Sequence, residues 1–124
     1  HGYDVEFEVT FEGDLDHRNW VWDFGGMKRA KNLIDGMQPK EWMEHMFDHT
    51  VVVAEDDPEL DNFRDMADRG VIQLRVVEAV GAEKFAEFLY HKLNDFVQTE
   101  TDGRVKVIKV KFMENHKNSA IYGA

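Results

Sequence analysis

The sequence predicts an α+β fold built on an antiparallel sheet, and three stretches of the chain indicate it. Apolar and polar side chains alternate over residues 3–11, and residues 104–113 are largely apolar, which predicts a strand near each end of the chain. Residues 81–97 carry apolar side chains at helical spacing and form the clearest predicted helix. Because strands come first, helices follow and strands return, we expect helices on one face of an antiparallel sheet.

The first half of the chain predicts two strands and two helices. The alternation over residues 3–11 is typical of a half-buried strand, and the aromatic residues within 20–24 alternate as a shorter second strand. Residues 26–37 place apolar side chains at helical spacing, and Pro39 discourages a continuation of that helix. Residues 40–46 form a short second helical piece.

The second half predicts two short strands, two helices and a closing pair of strands. An apolar run at residues 51–53 and an alternation at residues 72–76 predict the short strands. Between them a helix opens with Pro58 at its first position and acidic residues at its positive end, and Gly70 is its stop signal. After the long helix and the second long strand, residues 120–122 pair back as a final short strand.

Composition restricts the classes of function. The chain has 124 residues, a formal net charge of −10 and no Cys, which allows one domain with a hydrophobic core and excludes disulfides, thiolate metal ligands and a Cys nucleophile within these residues. An acidic surface repels phosphate backbones, and no apolar run approaches the roughly 18 residues of a membrane helix. No targeting segment is visible. We therefore expect a cytoplasmic protein that binds neither nucleic acid nor membranes.

Asp48 and His49 are adjacent and are the first candidates for acid–base chemistry. A carboxylate can orient a neighbouring imidazole and select its tautomer, which makes His49 a candidate general acid or base. Neighbouring residues on a strand point to opposite sides, so the alternative interpretation is a turn in which Asp48 caps a helix or loop.

Three further groups are candidates for binding. His1 is either a metal ligand or a surface residue at the start of the chain. Glu114 follows the last long strand, where a carboxylate can accept two parallel hydrogen bonds from the amino-pyrimidinone edge of a pterin or guanine, although glutamates at strand ends are usually solvated. A set of lysines either binds an anionic substrate or lies on the solvent-exposed face of a strand: Lys106, Lys109, Lys111 and Lys117.

These groups, in this order, resemble the 6-pyruvoyl-tetrahydropterin synthase and 6-carboxytetrahydropterin synthase family over nearly the whole chain. His1-Gly2-Tyr3 is similar to the H-G-H motif of that family, and residues 20–25 (WVWDFG) are similar to its V-x-D-F element. Residues 47–50 (FDHT) resemble its L-D-H motif. Residues 81–86 (GAEKFA) resemble the start of its second major helix, and residues 114–122 resemble its closing E-T…N-S-A-x-Y.

The resemblance implies a tunnelling fold. In that fold a four-stranded antiparallel sheet carries helices on one face, the sheets of three subunits join into a barrel, and two trimers stack into a homohexamer with active sites between subunits. Burial of both faces at a subunit junction would explain apolar side chains on both faces of residues 104–113. By this resemblance, residues 1–124 are a single pterin synthase-like domain whose N-terminal strand is missing from the residues given.

The resemblance also implies a lyase reaction on a pterin. The expected substrate is 7,8-dihydroneopterin triphosphate, which loses triphosphate; the branch that forms 6-carboxytetrahydropterin also releases acetaldehyde and belongs to queuosine biosynthesis. Glu114 would bind the pterin ring, and His49, assisted by Asp48, would move protons at the substrate side chain. His1 would be one ligand of a zinc ion that acts as a Lewis acid.

Two departures from the family pattern leave alternatives open. Tyr3 stands where the second histidine of H-G-H usually binds zinc. The strand with another zinc histidine, and the loop with the catalytic cysteine, would precede His1. The sequence favours a 6-carboxytetrahydropterin synthase-like enzyme. The alternatives are a non-catalytic pterin- or purine-binding homologue with an incomplete zinc site, or an aldolase of related fold that acts on dihydroneopterin without a metal.

Overall fold

The computed structural model describes residues 5–114 and 118–123. In chain order the elements are β1 (Val5–Gly13), a 3-10 helix (Phe24–Met27), α1 (Pro39–Phe47), β2 (Val51–Ala54), α2 (Leu60–Asp68), β3 (Leu74–Val77), α3 (Ala82–Glu100), β4 (Val105–Glu114) and β5 (Asn118–Gly123).

The main sheet has three antiparallel strands in the order β1-β4-β5. The central strand β4 pairs with β1 from Gly13 opposite Val105 to Val5 opposite Glu114, and it pairs with β5 on its other side. β2 and β3 form a separate parallel pair, and α2 lies between them in the chain. The predicted α+β class and antiparallel sheet are confirmed. Within the described ranges the main sheet has three strands, where the family resemblance implied four.

A bulge in β4 determines which of its side chains face the core. The register shifts between Thr10 and Phe11 of β1, which pair with Lys109 and Val107, so Ile108 is the extra residue on β4. The alternation changes phase there, and four residues from both sides of the bulge are buried on one face: Val105, Val107, Val110 and Phe112. The expectation of two apolar faces is therefore wrong, and burial at a subunit junction is not needed to explain this strand.

The hydrophobic core lies between this face of the sheet and α3. Apolar residues three or four positions apart give α3 one buried stripe, which includes Phe85, Leu89, Leu93 and Phe96. Trp42 of α1 is completely buried and belongs to the same cluster. The predicted helix over residues 81–97 is therefore confirmed, and it continues three residues further, to Glu100.

The structure contradicts the predicted strand over residues 20–24 and the predicted helix over residues 26–37. Only Phe24–Met27 is helical, as a single 3-10 turn. Asp23 caps this turn because its carboxylate accepts a hydrogen bond from the Gly25 N–H at 2.9 Å. The glycine-containing turn interrupts both of the local periodicities on which the predictions depended.

Hydrogen bonds to a distant residue replace the predicted helix. Glu100, at the end of α3, accepts hydrogen bonds from the backbone N–H groups of Lys31 and Asn32 at 3.0 and 3.1 Å. The chain then reverses through Asp35 and Gly36, which have φ angles of 49° and 80°. A right-handed helix does not accommodate these angles, so apolar spacing alone was misleading here.

The remaining predicted elements are confirmed with shifted ends. The short helical piece is α1, and Pro39 is its first residue rather than a stop for the preceding segment. α2 begins at Leu60, two residues after Pro58, and Gly70 follows it with a φ of 76°, as the stop signal predicted. The two short strands are β2 and β3, and the closing strand is β5. Among the described residues, no helix is both long and apolar enough to span a bilayer.

Candidate active site

Asp48 and His49 bring their side chains into contact at a turn between α1 and β2. Asp48 Oδ1 lies 2.8 Å from His49 Nδ1, and the two side chains are 63% and 89% exposed. His49 has a φ of 55°, so the backbone is left-handed there and does not extend as a strand. The turn thus brings together two side chains that a strand would point apart. The turn interpretation therefore describes the backbone, and the acid–base role of His49 stays a prediction.

Two contacts fix the end of α1 beside this turn. Thr50 is buried, and its Oγ1 donates a hydrogen bond to the Met46 carbonyl oxygen at 2.6 Å. Arg75 of β3 donates from Nε to the His45 carbonyl oxygen at 2.8 Å, and its Nη2 lies 3.1 Å from the Nδ1 of the same histidine. Sequence reasoning missed both positioning residues. Arg75 is 30 positions from His45 in the sequence. A pattern among neighbouring residues does not indicate a contact over that separation.

Phe47 joins the turn to the main sheet. Its ring centroid lies 5.8 Å from that of Phe112 on β4, 5.6 Å from Phe85 on α3 and 6.2 Å from Phe7 on β1. Phe112 and Phe85 belong to the buried core. Because Phe47 directly precedes Asp48, this aromatic cluster holds the acid–base pair at the end of the sheet where Phe112 lies.

Glu114 lies at the same end of the sheet. It follows Phe112 by two residues on β4, so alternation places both side chains on one face. Its backbone lies between two strands, opposite Val5 of β1 and Asn118 of β5, and the residue is partly buried. A carboxylate on a central strand is held more precisely than one on a loop.

The turn that carries Asp48 and His49 thus lies near the end of the sheet at which Glu114 lies. The Nδ1–H of His49 is placed to donate to Asp48, and this tautomer leaves the Nε2 lone pair free to accept a proton. Glu114 provides two carboxylate oxygens that can accept a pair of parallel N–H groups.

The described residues do not fit a zinc site. They contain no group of three or more His, Cys, Asp or Glu side chains able to hold a metal ion. His1 and Tyr3, which resemble the H-G-H motif, lie outside the described ranges, and so does the prediction that His1 binds the metal.

The lysines of β4 lie on the sheet face opposite the helices. Lys106 Nζ is 3.6 Å from Glu12 Oε1, and Lys111 lies opposite Glu8 in the register of the strands. These pairs between β1 and β4 are typical of a solvated sheet face, which was the alternative to anion binding. Lys117 lies outside the residues that the structure describes.

An antiparallel sheet with helices on one face defines a small α+β protein. The chain matches the family described as 6-pyruvoyl tetrahydropterin synthase over residues 1–124, and it belongs to this family. The family resemblance seen in the sequence is therefore confirmed. Membership indicates a tetrahydropterin synthase-like function and a lyase-type enzyme. No curated protein matched the chain.

Proposed function

We propose that this protein converts 7,8-dihydroneopterin triphosphate to 6-carboxytetrahydropterin, with loss of triphosphate and release of acetaldehyde. The observation that carries the proposal is the match of the whole chain, residues 1–124, to the 6-pyruvoyl tetrahydropterin synthase family. The positions of Asp48, His49 and Glu114 at one end of the sheet support it, because this reaction needs a pterin anchor and a proton-transfer group close together.

Glu114 is the proposed anchor for the pterin ring. The ring presents an amino group and an adjacent ring N–H on one edge, and a carboxylate accepts both in a bidentate pair. The two strands that flank Glu114 fix its backbone, so little conformational entropy is lost when the ring binds.

His49 is the proposed acid–base residue at the substrate side chain. With Nδ1–H directed to Asp48, the Nε2 atom accepts a proton from a carbon or hydroxyl of the side chain and later returns it. Asp48 orients the ring and stabilises the imidazolium that forms. The high exposure of both side chains in the single chain is consistent with a site that a neighbouring subunit completes.

We propose in addition that the chain assembles as a homohexamer of two trimers whose sheets join into a barrel. In support, β1 and β5 each have one edge with no partner strand among the described residues, and Ile121 of β5 is 61% exposed. Open sheet edges are sites for pairing with another chain. Light scattering at micromolar concentration tests the assembly, and a monomer under these conditions would contradict it.

The reaction is tested by a turnover assay on the full-length gene product with zinc supplied. The protein is incubated with 7,8-dihydroneopterin triphosphate, and the pterin products are identified by mass. Formation of 6-carboxytetrahydropterin with acetaldehyde is the expected result. Tight pterin binding without any product would instead favour the non-catalytic pterin- or purine-binding homologue. One sequence feature supports this second candidate: Tyr3 replaces a zinc histidine of the family motif.

The anchor is tested by comparing Glu114→Gln with Glu41→Gln. The amide at position 114 keeps only one acceptor oxygen, so affinity for the pterin should fall by about tenfold or more. Glu41 is exposed at the start of α1, and its variant makes the same change of charge, so it should bind as the wild type does. Equal affinities of the two variants would refute the assignment of Glu114.

A further inference from the structure

A polar cavity lies at the opposite end of the sheet from Glu114. Its volume is about 300 Å³, and it lies where β1 ends and β4 begins. The ten residues of β4 separate it from Glu114 by about 30 Å, at roughly 3.3 Å per residue. The charged side chains that line it are four cations and two carboxylates: Arg18, Arg29, Lys31, Arg104, Asp23 and Glu100.

A tight loop fixes Arg18 at this cavity. Asp16 Oδ1 accepts hydrogen bonds from the backbone N–H groups of Arg18 and Trp20 at 2.8 and 3.1 Å, and the Arg18 guanidinium lies 4.3 Å from the Trp20 ring centroid. Burial acts to raise the pKa of Asp16, but these hydrogen bonds and the Arg18 charge outweigh it and lower the pKa to about 2. Arg18 is therefore held in place, with its own charge balanced by Asp16.

The other three cations have no carboxylate partner among the described residues. Arg104 donates from Nη1 to two backbone carbonyl oxygens, those of Asp14 and Val21, the second at 2.7 Å. These neutral groups orient the guanidinium and leave its charge uncompensated. Arg29 and Lys31 form no salt bridge within the part of the chain that the structure describes.

Both carboxylates of the cavity already serve the fold. Glu100 accepts hydrogen bonds from the Lys31 and Asn32 backbone through both of its oxygens, and from the Asn32 side chain at 2.8 Å. Asp23 accepts from the Gly25 N–H and lies 3.6 Å from Arg18. Both carboxylates are therefore held by the fold, and their charges offset only part of the positive charge of the cavity.

A glycine brings the Trp22 ring against the 3-10 turn at the cavity. A Cβ atom on Gly26 would lie 2.5 Å from the buried Trp22 ring, so a larger residue there would displace the indole. A Cβ atom on Gly25 would meet only the end of the Arg29 side chain, which can move aside.

We propose that this cavity binds a phosphate-type anion, as free inorganic pyrophosphate or as the phosphate of a small phosphorylated metabolite. Because Asp16 balances Arg18, the other three cations face two carboxylates, which leaves an excess of one positive charge on a chain whose net charge is −10. The planar guanidinium groups match the oxygens of a phosphate. Carboxylates more than about 10 Å away are screened at 0.1 M salt, so the local cations determine which anion binds. This proposal does not depend on the pterin reaction.

The site is tested by calorimetric titration of the full-length protein with inorganic phosphate, pyrophosphate and glycerol 3-phosphate. We expect saturable binding of one anion per chain that weakens as salt is raised. Arg29→Gln should lower the affinity about tenfold, since it removes one charged donor. Arg64→Gln makes the same change of charge on the exposed side of α2, away from the cavity, and should bind almost as the wild type does.

Arg29→Lys keeps the charge but not the planar fork, and its affinity should lie between those of Arg29→Gln and the wild type. Circular dichroism of each variant checks that the fold is intact. Tighter binding of pyrophosphate supports a free polyphosphate as the ligand, and tighter binding of glycerol 3-phosphate supports a phosphorylated metabolite. The proposal is overturned if none of the three anions saturates, or if the Arg29 and Arg64 variants lose affinity equally.

Discussion

His49 combines a left-handed backbone with a proposed role in proton transfer, and two substitutions separate these properties. At a φ of 55°, a residue with a Cβ atom costs about 1–2 kcal/mol relative to the right-handed conformation, whereas glycine adopts either hand. His49→Ala and His49→Gly both remove the imidazole, so both should lose turnover. Only His49→Gly also removes the backbone strain.

The expected difference in stability between the two variants follows from opposing contributions. Relief of the left-handed strain is offset by about 0.4–1 kcal/mol, because glycine has more conformational freedom in the unfolded chain. The contact with Asp48 is lost from both variants, and between such exposed side chains it contributes at most about 1 kcal/mol. His49→Gly should therefore be more stable than His49→Ala by about 0.5–1 kcal/mol, or by roughly 2–5 °C in Tm.

Urea unfolding followed by circular dichroism measures these free energies, and turnover is assayed on the same preparations. His17→Ala is the control, because His17 is exposed in a loop and no role is proposed for it. Its turnover should equal that of the wild type. A His49→Ala variant at least as stable as His49→Gly would refute the left-handed turn. Substantial turnover by either His49 variant would refute the proton-transfer role.

Three further predictions concern stability, and urea unfolding measures each of them. Phe112→Ala should lower the free energy of unfolding by about 3–5 kcal/mol, because Phe112 is 1% exposed in the aromatic cluster; a loss below about 1 kcal/mol would contradict its central position. Thr50→Val should cost about 1 kcal/mol, since the Met46 carbonyl loses a donor, and a neutral result would show that this hydrogen bond does not stabilise the end of α1. The pKa of Asp16 in the folded protein is about 2, below its ordinary 3.8, so ionised Asp16 stabilises the fold above about pH 4 and this contribution is lost as the pH falls toward 2. Asp16→Asn removes this contribution, so the difference in free energy of unfolding between wild type and variant should become smaller as the pH falls from 4 to 2. A difference that does not change with pH would contradict the lowered pKa of Asp16.

The sequence predicted a strand or helix correctly where neighbouring residues of that element carry the pattern. The alternation that predicted β1 and the helical spacing that predicted α3 each arise from one face packed against the core, and both elements are confirmed. The residues between the two long strands were harder to predict. The segment predicted as a helix over residues 26–37 is held instead by Glu100, which is 69 positions away from Lys31. No window of neighbouring residues reports a hydrogen bond of that kind.

The sequence indicated the residues of the candidate site but not how they come together. The sequence indicated Asp48, His49 and Glu114 by residue type and order, and the family match supports the reading of the chain in which they were chosen. Their common location depends on Phe47, which packs on Phe112 and so brings the end of α1 to the end of β4. The roles of these three residues stay predictions until the variants are assayed.

By itself, the sequence determined the fold class, the strand β1, the helix α3 and the family of this protein. Only the tertiary structure decided three features. They are which side chains of β4 face the core on either side of the Ile108 bulge, the path of the chain between Phe24 and Pro39, and the polar cavity that Arg29 lines. The physical reason is the range of the interactions. Periodic burial is recorded in neighbouring residues, whereas strand register, long-range hydrogen bonds and the meeting of separate segments depend on contacts that form only when the whole chain packs.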